Sequence, residues 1–169
     1  MYPLFHLIMT FSQSDRKIAA KLWRSLHSER PFLAMLTTAS AEGVPHATWM
    51  GTVLSPDPGE ILTLTSPDSL KISNLRQNPA VEWLISEINR KELLYLRGKA
   101  HVVEEVADLK RCWQRVSGKG QAFFLNYFNT NPGFAIIRTL VESAELVVPE
   151  DFRKVTISPG DLFDETHPP

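Results

Sequence analysis

Hydrophobic and polar residues follow two different periods along the chain, and each change of period marks a new element. Residues 12–28 repeat apolar side chains at helical spacing, and Ser12 with Asp15 has the pattern of a capping box. After Pro31 the pattern becomes that of strands, short apolar or threonine-rich segments bounded by Gly, Pro and Asn. The predicted strands cover residues 32–38, 44–55, 61–65, 80–87, 91–104 and 134–148.

Three further helices are predicted between these strands, at residues 67–78, 105–116 and 121–128. In the first, Leu70 and Leu75 are expected to face inwards. In the second, one apolar side is expected, made of Val106, Leu109, Trp113 and Val116. Most neighbouring strands have no helix between them, which argues against a doubly wound parallel sheet.

Strands that follow one another through short turns predict antiparallel pairing. Residues 32–65 contain three such strands and are expected to form a meander. Gly98, inside a long strand, predicts a bulge or bend. The sequence therefore predicts a mainly β fold, a six-stranded antiparallel β-barrel with peripheral helices. The barrel domain is expected to span residues 12–148, after an N-terminal arm at 1–11 and before a C-terminal tail at 149–169 without a clear element.

Composition excludes several kinds of function. The net charge of −1 provides no strong field, so neither nucleic acid nor a membrane is expected as a partner. Cys112 is the one cysteine, which excludes an internal disulfide and a multi-cysteine metal site, and the five histidines lack metal-ligand spacing. The apolar start is too short to span a bilayer and lacks the features of a signal peptide. We therefore expect a cytoplasmic protein without a metal.

Candidate chemistry is concentrated in residues 61–81, where a predicted strand ends in Thr65-Ser66 and a helix begins near Asp68-Ser69. Hydroxyls and free backbone N–H groups at the start of a helix bind phosphate, and Lys71 adds a positive charge in the first turn. The same residues are also compatible with an ordinary helix cap and a solvated lysine. Local physical chemistry leaves both interpretations open.

The string T-x-x-x-S-x-K-x-x-x-L-x-x-N-P runs from Thr65 through Ser69, Lys71 and Leu75 to Asn78-Pro79. It resembles the phosphate-binding turn and helix of the pyridoxamine 5′-phosphate oxidase family. The order of elements over residues 32–148 also resembles that family and its general-stress-protein relatives. The resemblance implies an FMN-binding split β-barrel that works as a homodimer with FMN at the interface. It also implies an FMN-dependent oxidoreductase with a small-molecule substrate.

The resemblance also implies where the cofactor would lie. Residues matching Thr65, Ser69 and Lys71 contact the FMN phosphate and ribityl chain, and the strand at 45–51 lines the flavin ring. Strand alternation puts Thr48 and Met50 on one face and Trp49 on the other. The expected cofactor-binding residues are His46, Thr48, Trp49, Met50, Leu64, Thr65, Ser66, Ser69, Leu70 and Lys71. No catalytic side chain is assigned, because the cofactor carries the chemistry in such proteins.

The chain departs from the oxidase pattern at several positions. The oxidase has an arginine where Thr48 stands and another where Leu70 stands, so Arg76, Arg97 or Lys99 are candidates to replace their charge. The C-terminal arginine–histidine signature of the oxidase has no counterpart at residues 161–169, so its substrate is not assigned. The alternatives are a deazaflavin cofactor, a non-catalytic flavin or haem carrier or sensor, and a barrel that serves as an interaction module.

Overall fold

The computed structural model describes residues 12–26, 34–51, 53–54, 57–86, 91–116 and 133–163, with Gln121 and Leu125. Its helices are α1 (Gln13–Ser25), α2 (Leu70–Leu75), α3 (Val106–Arg115) and α4 (Pro159–Phe163). Its strands are β1 (Ala34–Ala39), β2 (Pro45–Met50), β3 (Val53–Leu54), β4 (Glu60–Thr65), β5 (Ala80–Ser86), β6 (Leu93–Val103), β7 (Ala135–Val148) and β8 (Arg153–Ile157). The predicted N-terminal arm lies outside these ranges, as does most of the helix predicted at 121–128.

The strands form one antiparallel sheet in the order β2-β1-β5-β6-β7-β4-β3, with β8 paired to β7. The mainly β fold with peripheral helices is confirmed. The described residues contain eight strands where six were predicted. The sheet curves in the manner of a split barrel but does not close, because its end strands β2 and β3 do not pair with each other within the described ranges.

Both hairpins of the predicted meander form, but its middle strand is divided between them. The segment at 44–55 is not one strand but two, which separate near Gly51. β2 pairs with β1, whereas β3 pairs with β4. β4 in turn pairs with β7, a strand that begins seventy residues after β4 ends. A local hydrophobic pattern cannot encode that distant partner, since it carries information about faces and not about pairing.

The capping box at the start of α1 is confirmed. Ser12 has extended backbone angles, and its hydroxyl accepts a hydrogen bond from the Asp15 backbone N–H at 3.1 Å. Asp15 Oδ2 in turn accepts from the Ser12 N–H at 3.1 Å. These two bonds satisfy backbone donors that the first helical turn leaves free. α1 then buries Ala19, Leu22 and Trp23 in the main core.

The main core lies on the inner face of the sheet, with Leu36, Ile61 and Trp83 at its centre and α1 packed against it. A second cluster lies on the outer face, where α3 covers β4 and β7 with Cys112 and Val116. Cys112 is buried there. Val106 was expected on the apolar side of α3, but its side chain is 80% exposed.

β4 is buried on both faces because these two cores lie on either side of it. Ile61 belongs to the inner core, whereas Leu62 and Leu64 belong to the outer cluster under α3. Because successive side chains in a strand point to opposite faces, Thr63 and Thr65 share the inner face with Ile61. The sheet therefore directs the Thr65 hydroxyl towards the inner side, where α2 begins.

The bulge predicted at Gly98 is confirmed by a shift of register between Arg97 and Gly98 against β7. A Cβ atom at Gly98 would lie 2.0 Å from the Leu140 carbonyl oxygen, so this position accepts no side chain. The expectation of no element after Pro149 is wrong. β8 extends the sheet, and α4 follows it, with Phe163 against Trp23 at 4.7 Å between ring centroids. None of the helices in the described ranges has the length and apolar character needed to cross a bilayer.

Candidate anion and cofactor site

The predicted phosphate-site residues meet where β4 ends and α2 begins. Lys71 Nζ donates a hydrogen bond to Thr65 Oγ1 at 3.1 Å. The hydroxyl oxygens of Thr65 and Ser69 are 3.5 Å apart. Thr65 stands at the end of β4, and Ser69 is the N-cap of α2, so a strand end and a short turn bring the three side chains together.

Lys71 is buried, with 8% of its surface exposed. Burial lowers the pKa of its ammonium group, and within the described ranges no acidic neighbour opposes that shift. An ammonium group has three N–H donors, and Thr65 accepts one of them. A buried cation without a carboxylate partner is unfavourable in a chain alone, because desolvation of the charge is not compensated.

The two ordinary interpretations of this segment do not hold. Ser69 is the N-cap residue, but its side chain makes no capping hydrogen bond to the helix. Lys71 is buried and not solvated. The helix dipole also contributes little to anion binding here, because α2 has only six residues. The positive charge of this site therefore comes mainly from Lys71.

The neighbouring candidates have different orientations. Leu70 was predicted to face inwards, but its side chain is 56% exposed beside the start of α2. Leu64 packs into the outer cluster under α3, so its side chain points away from Lys71. Ser66 is half-buried in the turn between β4 and α2. Of these three residues, Leu70 and Ser66 border the Lys71 site, whereas Leu64 supports it from behind.

The second group of candidates lies on β2, and its predicted alternation is confirmed. His46 and Thr48 are half-buried and Met50 is buried, whereas Trp49 is exposed. The imidazole Nε2 of His46 and the hydroxyl of Thr48 are 2.8 Å apart, so the two side chains form one polar pair. Met50 is part of the main core. His46 and Thr48 are thus the members of this group available on the inner side of β2.

One buried pair at this site was not predicted from the sequence. Asn74 Nδ2 donates a hydrogen bond to Thr38 Oγ1 on β1 at 3.0 Å. Asn74 follows Lys71 by three residues, which puts both on one side of α2. The spacing in the sequence indicates that Asn74 and Lys71 share one side of the helix. It does not indicate which strand Asn74 contacts.

The cations considered as replacements for the missing arginines are engaged elsewhere. Arg97 pairs with Glu82 at 2.6 Å and with Glu145 at 3.5 Å, and the hydrogen bond from Arg97 to Glu82 raises the pKa of Arg97. Lys99 lies 3.7 Å from Glu142 and Arg76 lies 3.6 Å from Glu104. The three cationic side chains are at least half exposed. Lys71 is therefore the cation that the described residues supply at this site.

Comparison with known families identifies the fold. The family model for pyridoxamine 5′-phosphate oxidase matches residues 17–147. The chain belongs to the pyridoxamine 5′-phosphate oxidase family. The match extends from α1 to the end region of β7 and includes both groups of candidate residues. It does not include β8 or α4, the elements that the sequence pattern also failed to predict.

Solved structures show the same fold at low sequence identity. A Clostridium acetobutylicum protein related to general stress protein 26 is 13% identical, with a TM-score of 0.66 and coverage of 90% of this chain and 100% of its own. General stress protein 26 of Bacillus anthracis is 17% identical, with a TM-score of 0.55 and coverage of 82% and 98%. A heme binding protein from Mycobacterium smegmatis is 19% identical, with a TM-score of 0.63 and coverage of 85% and 59%. No curated protein sequence shows significant similarity to the chain.

Proposed function

We propose that this protein binds FMN, with the terminal phosphate at Lys71, Thr65 and Ser69, and that it is an FMN-dependent oxidoreductase acting on a small molecule. The observation that carries the proposal is the buried ammonium of Lys71, whose partner among the described residues is a hydroxyl and not a carboxylate. An anion supplied from outside the chain would compensate for the desolvation of this charge.

A phosphate group fits the donors at this site. Its oxygens accept hydrogen bonds only, and Lys71 has N–H donors beyond the one that Thr65 accepts. The hydroxyls of Thr65 and Ser69 lie close enough to each other to donate to the same phosphate. Because Lys71 and Thr65 are buried, a charge-assisted hydrogen bond from Lys71 is stronger than one at the surface.

The β2 residues suit the other end of the ligand. FMN, when bound, supplies the electron-transfer chemistry, and the protein supplies binding, orientation and restricted access. His46 and Thr48 form a polar pair on the inner side of β2, and each holds the other's orientation through a 2.8 Å contact. Exposed Leu70 provides apolar surface beside the Lys71 group.

We also propose that the protein is a homodimer. An apolar row crosses four strands on the outer face of the sheet. Trp49 lies opposite Met35, Met35 opposite Leu84, and Leu84 opposite Tyr95. Outward apolar side chains in adjacent register form a continuous patch, and such a patch is typical of a subunit interface.

The dimer is tested by sedimentation equilibrium of wild type, Trp49→Glu and a matched control, Gln114→Glu. Both variants add one negative charge at an exposed position, one in the apolar row and one on α3. We expect Trp49→Glu to shift the protein towards monomer and Gln114→Glu to behave as wild type. A wild-type monomer, or equal behaviour of both variants, contradicts the proposed interface.

The cofactor is tested by the absorption spectrum and mass analysis of what copurifies with the protein, followed by titration with FMN. A flavin spectrum and the mass of FMN support the proposal, and the mass of a deazaflavin would replace FMN by that cofactor. The heme binding protein among the structural neighbours makes haem the second candidate, for which a Soret band is the signature. A protein that binds none of these ligands fits an interaction module. Reduction by a nicotinamide cofactor with turnover to an acceptor distinguishes an enzyme from a carrier.

A further inference from the structure

The two groups of candidate residues belong to different parts of the sheet. Lys71 and Thr65 join α2 to β4, whereas His46 and Thr48 lie on β2. β1 is the neighbour of β2, and three strands separate β1 from β4 in the sheet order. A single ligand can contact both groups only if the distance between them matches the length of the ligand.

α2 connects these two parts through neighbouring side chains on one helix face. Lys71 reaches Thr65 on β4 at 3.1 Å, and Asn74 reaches Thr38 on β1 at 3.0 Å. A helix of six residues has little stability of its own, so tertiary contacts determine where it lies. The Asn74–Thr38 hydrogen bond is thus one of the contacts that set the position of Lys71 relative to β1.

Thr38 extends the connection to the second group. It lies directly opposite His46 in the register of β1 and β2, and opposite residues of an antiparallel pair share a face. His46 in turn contacts Thr48. Polar side chains therefore lie in succession on α2, β1 and β2.

Asn74 and Thr38 are buried more deeply than polar side chains usually are, with 4% and 1% of their surfaces exposed. A buried carboxamide or hydroxyl is unfavourable unless it is hydrogen-bonded, and an apolar pair would fill the same space without that requirement. A paired polar contact specifies one relative position of the two elements, which apolar contacts do less strictly.

We propose that Asn74 is a positioning residue that, through Thr38, fixes the separation between the Lys71 site and the β2 residues. The inference rests on the proposed function, since it assigns the two ends to the phosphate and the ring of one ligand. Neither Asn74 nor Thr38 needs to touch that ligand. A ligand held at two sites gains affinity when the sites are already correctly spaced, and it loses that gain when they move independently.

The test compares three probes, FMN, riboflavin and inorganic phosphate, on wild type, Asn74→Leu, Thr38→Val and Thr38→Ser. Riboflavin keeps the ring and ribityl chain but lacks the phosphate, inorganic phosphate occupies the Lys71 end alone, and FMN contacts both ends. We expect the Kd for FMN to rise about 3- to 10-fold in Asn74→Leu and Thr38→Val. The Kd values for riboflavin and phosphate should stay near wild type, and Thr38→Ser should keep wild-type FMN affinity because it retains the hydroxyl.

A purely structural role would weaken riboflavin and FMN binding equally, and that result would overturn the proposal. An unchanged FMN affinity in folded Thr38→Val would overturn it as well. If Asn74→Leu does not fold, the Thr38→Val and Thr38→Ser pair provides the same comparison. Thermal unfolding of each variant shows that the binding measurements are made on folded protein.

Failure of the proposed function is recognised separately, because wild type would then not bind FMN. The positioning of Lys71 is tested in that case by NMR of the lysine side chains in ligand-free protein, with Lys71→Met used for assignment. We expect the Lys71 resonance to move towards that of an exposed lysine in Thr38→Val and to stay in place in Thr38→Ser. An unchanged resonance in Thr38→Val overturns the positioning role.

Discussion

Replacement of Lys71 by methionine should have opposite effects on cofactor binding and on the stability of the ligand-free protein. Methionine keeps an unbranched apolar chain of similar length and removes the charge. Lys71 is 8% exposed, its pKa is lowered by burial, and its hydrogen-bond partner is Thr65. The ammonium group therefore destabilises the ligand-free protein and favours the binding of a phosphate group.

The expected changes in FMN affinity and in stability follow from these two effects of the Lys71 charge. Loss of a charge-assisted hydrogen bond to phosphate costs about 1.5–3 kcal/mol, which corresponds to about a 10- to 150-fold higher Kd for FMN. Removal of a buried, poorly compensated charge should stabilise the ligand-free protein by about 1 kcal/mol, after the loss of its hydrogen bond to Thr65. For a chain of this size that gain raises Tm by about 2–4 °C.

The assay is a fluorescence titration with FMN and with riboflavin, together with thermal unfolding of the ligand-free protein. Riboflavin lacks the phosphate, so its Kd should change little in Lys71→Met. Lys110→Met is the matched control, because it removes the same charge from an exposed position on α3. An FMN affinity that is unchanged, or reduced equally in both variants, refutes the phosphate assignment. A lower Tm of ligand-free Lys71→Met refutes the argument that the buried charge is unfavourable.

Three further measurements test the same structure. Thr65→Val removes the hydroxyl next to Lys71 and should raise the Kd for FMN about 3- to 10-fold in fluorescence titration, whereas Thr65→Ser should retain wild-type affinity. Because burial lowers the pKa of Lys71 in the folded state, the unfolded state binds more protons between that value and the ordinary 10.5. The stability of ligand-free protein in urea should therefore rise with pH across this window, relative to Lys71→Met, and a parallel pH dependence of both proteins would contradict the shift. Gly98→Ala should destabilise the protein by about 2 kcal/mol or more in urea denaturation, since its Cβ would lie 2.0 Å from the Leu140 carbonyl oxygen. Gly160→Ala, whose nearest neighbouring atom is at 3.9 Å, is the control and should remain near wild type, and equal losses would contradict the steric argument.

Local features were predictable where neighbouring residues supply all the interactions. The capping box of Ser12 and Asp15 needs partners only three residues apart, and it forms as predicted. The bulge at Gly98 was predictable because a glycine inside a strand pattern often marks a bulge or a close approach of another backbone. The meeting of Thr65, Ser69 and Lys71 was also predictable, because a strand end and a short turn place them close together.

The local hydrophobic pattern gave wrong predictions where a contact with a distant part of the chain determined which side of an element is buried. In α2 an apolar pattern predicts that Leu70 faces inwards, yet Leu70 is exposed and Lys71 and Asn74 are buried. Leu75 is buried as predicted, together with Ile72. The buried face of α2 also carries Lys71 and Asn74, because two strands offer threonine hydroxyls that accept hydrogen bonds from them. Similarly, β8 was missed because five residues of alternating pattern are too short to stand out from a polar tail.

The sequence by itself determined the type of most elements, the antiparallel and mainly β character of the fold, and the group of residues that surrounds Lys71. These properties depend on interactions between residues close in sequence, or on the alternation of apolar and polar side chains, which a strand shows whichever strand it pairs with. Only the tertiary structure decided the strand order, the split of the segment at 44–55, and the pairing of β4 with β7. It also decided that Lys71 is buried and that Asn74 meets Thr38, because both depend on surfaces that come together only when distant parts of the chain pack against each other.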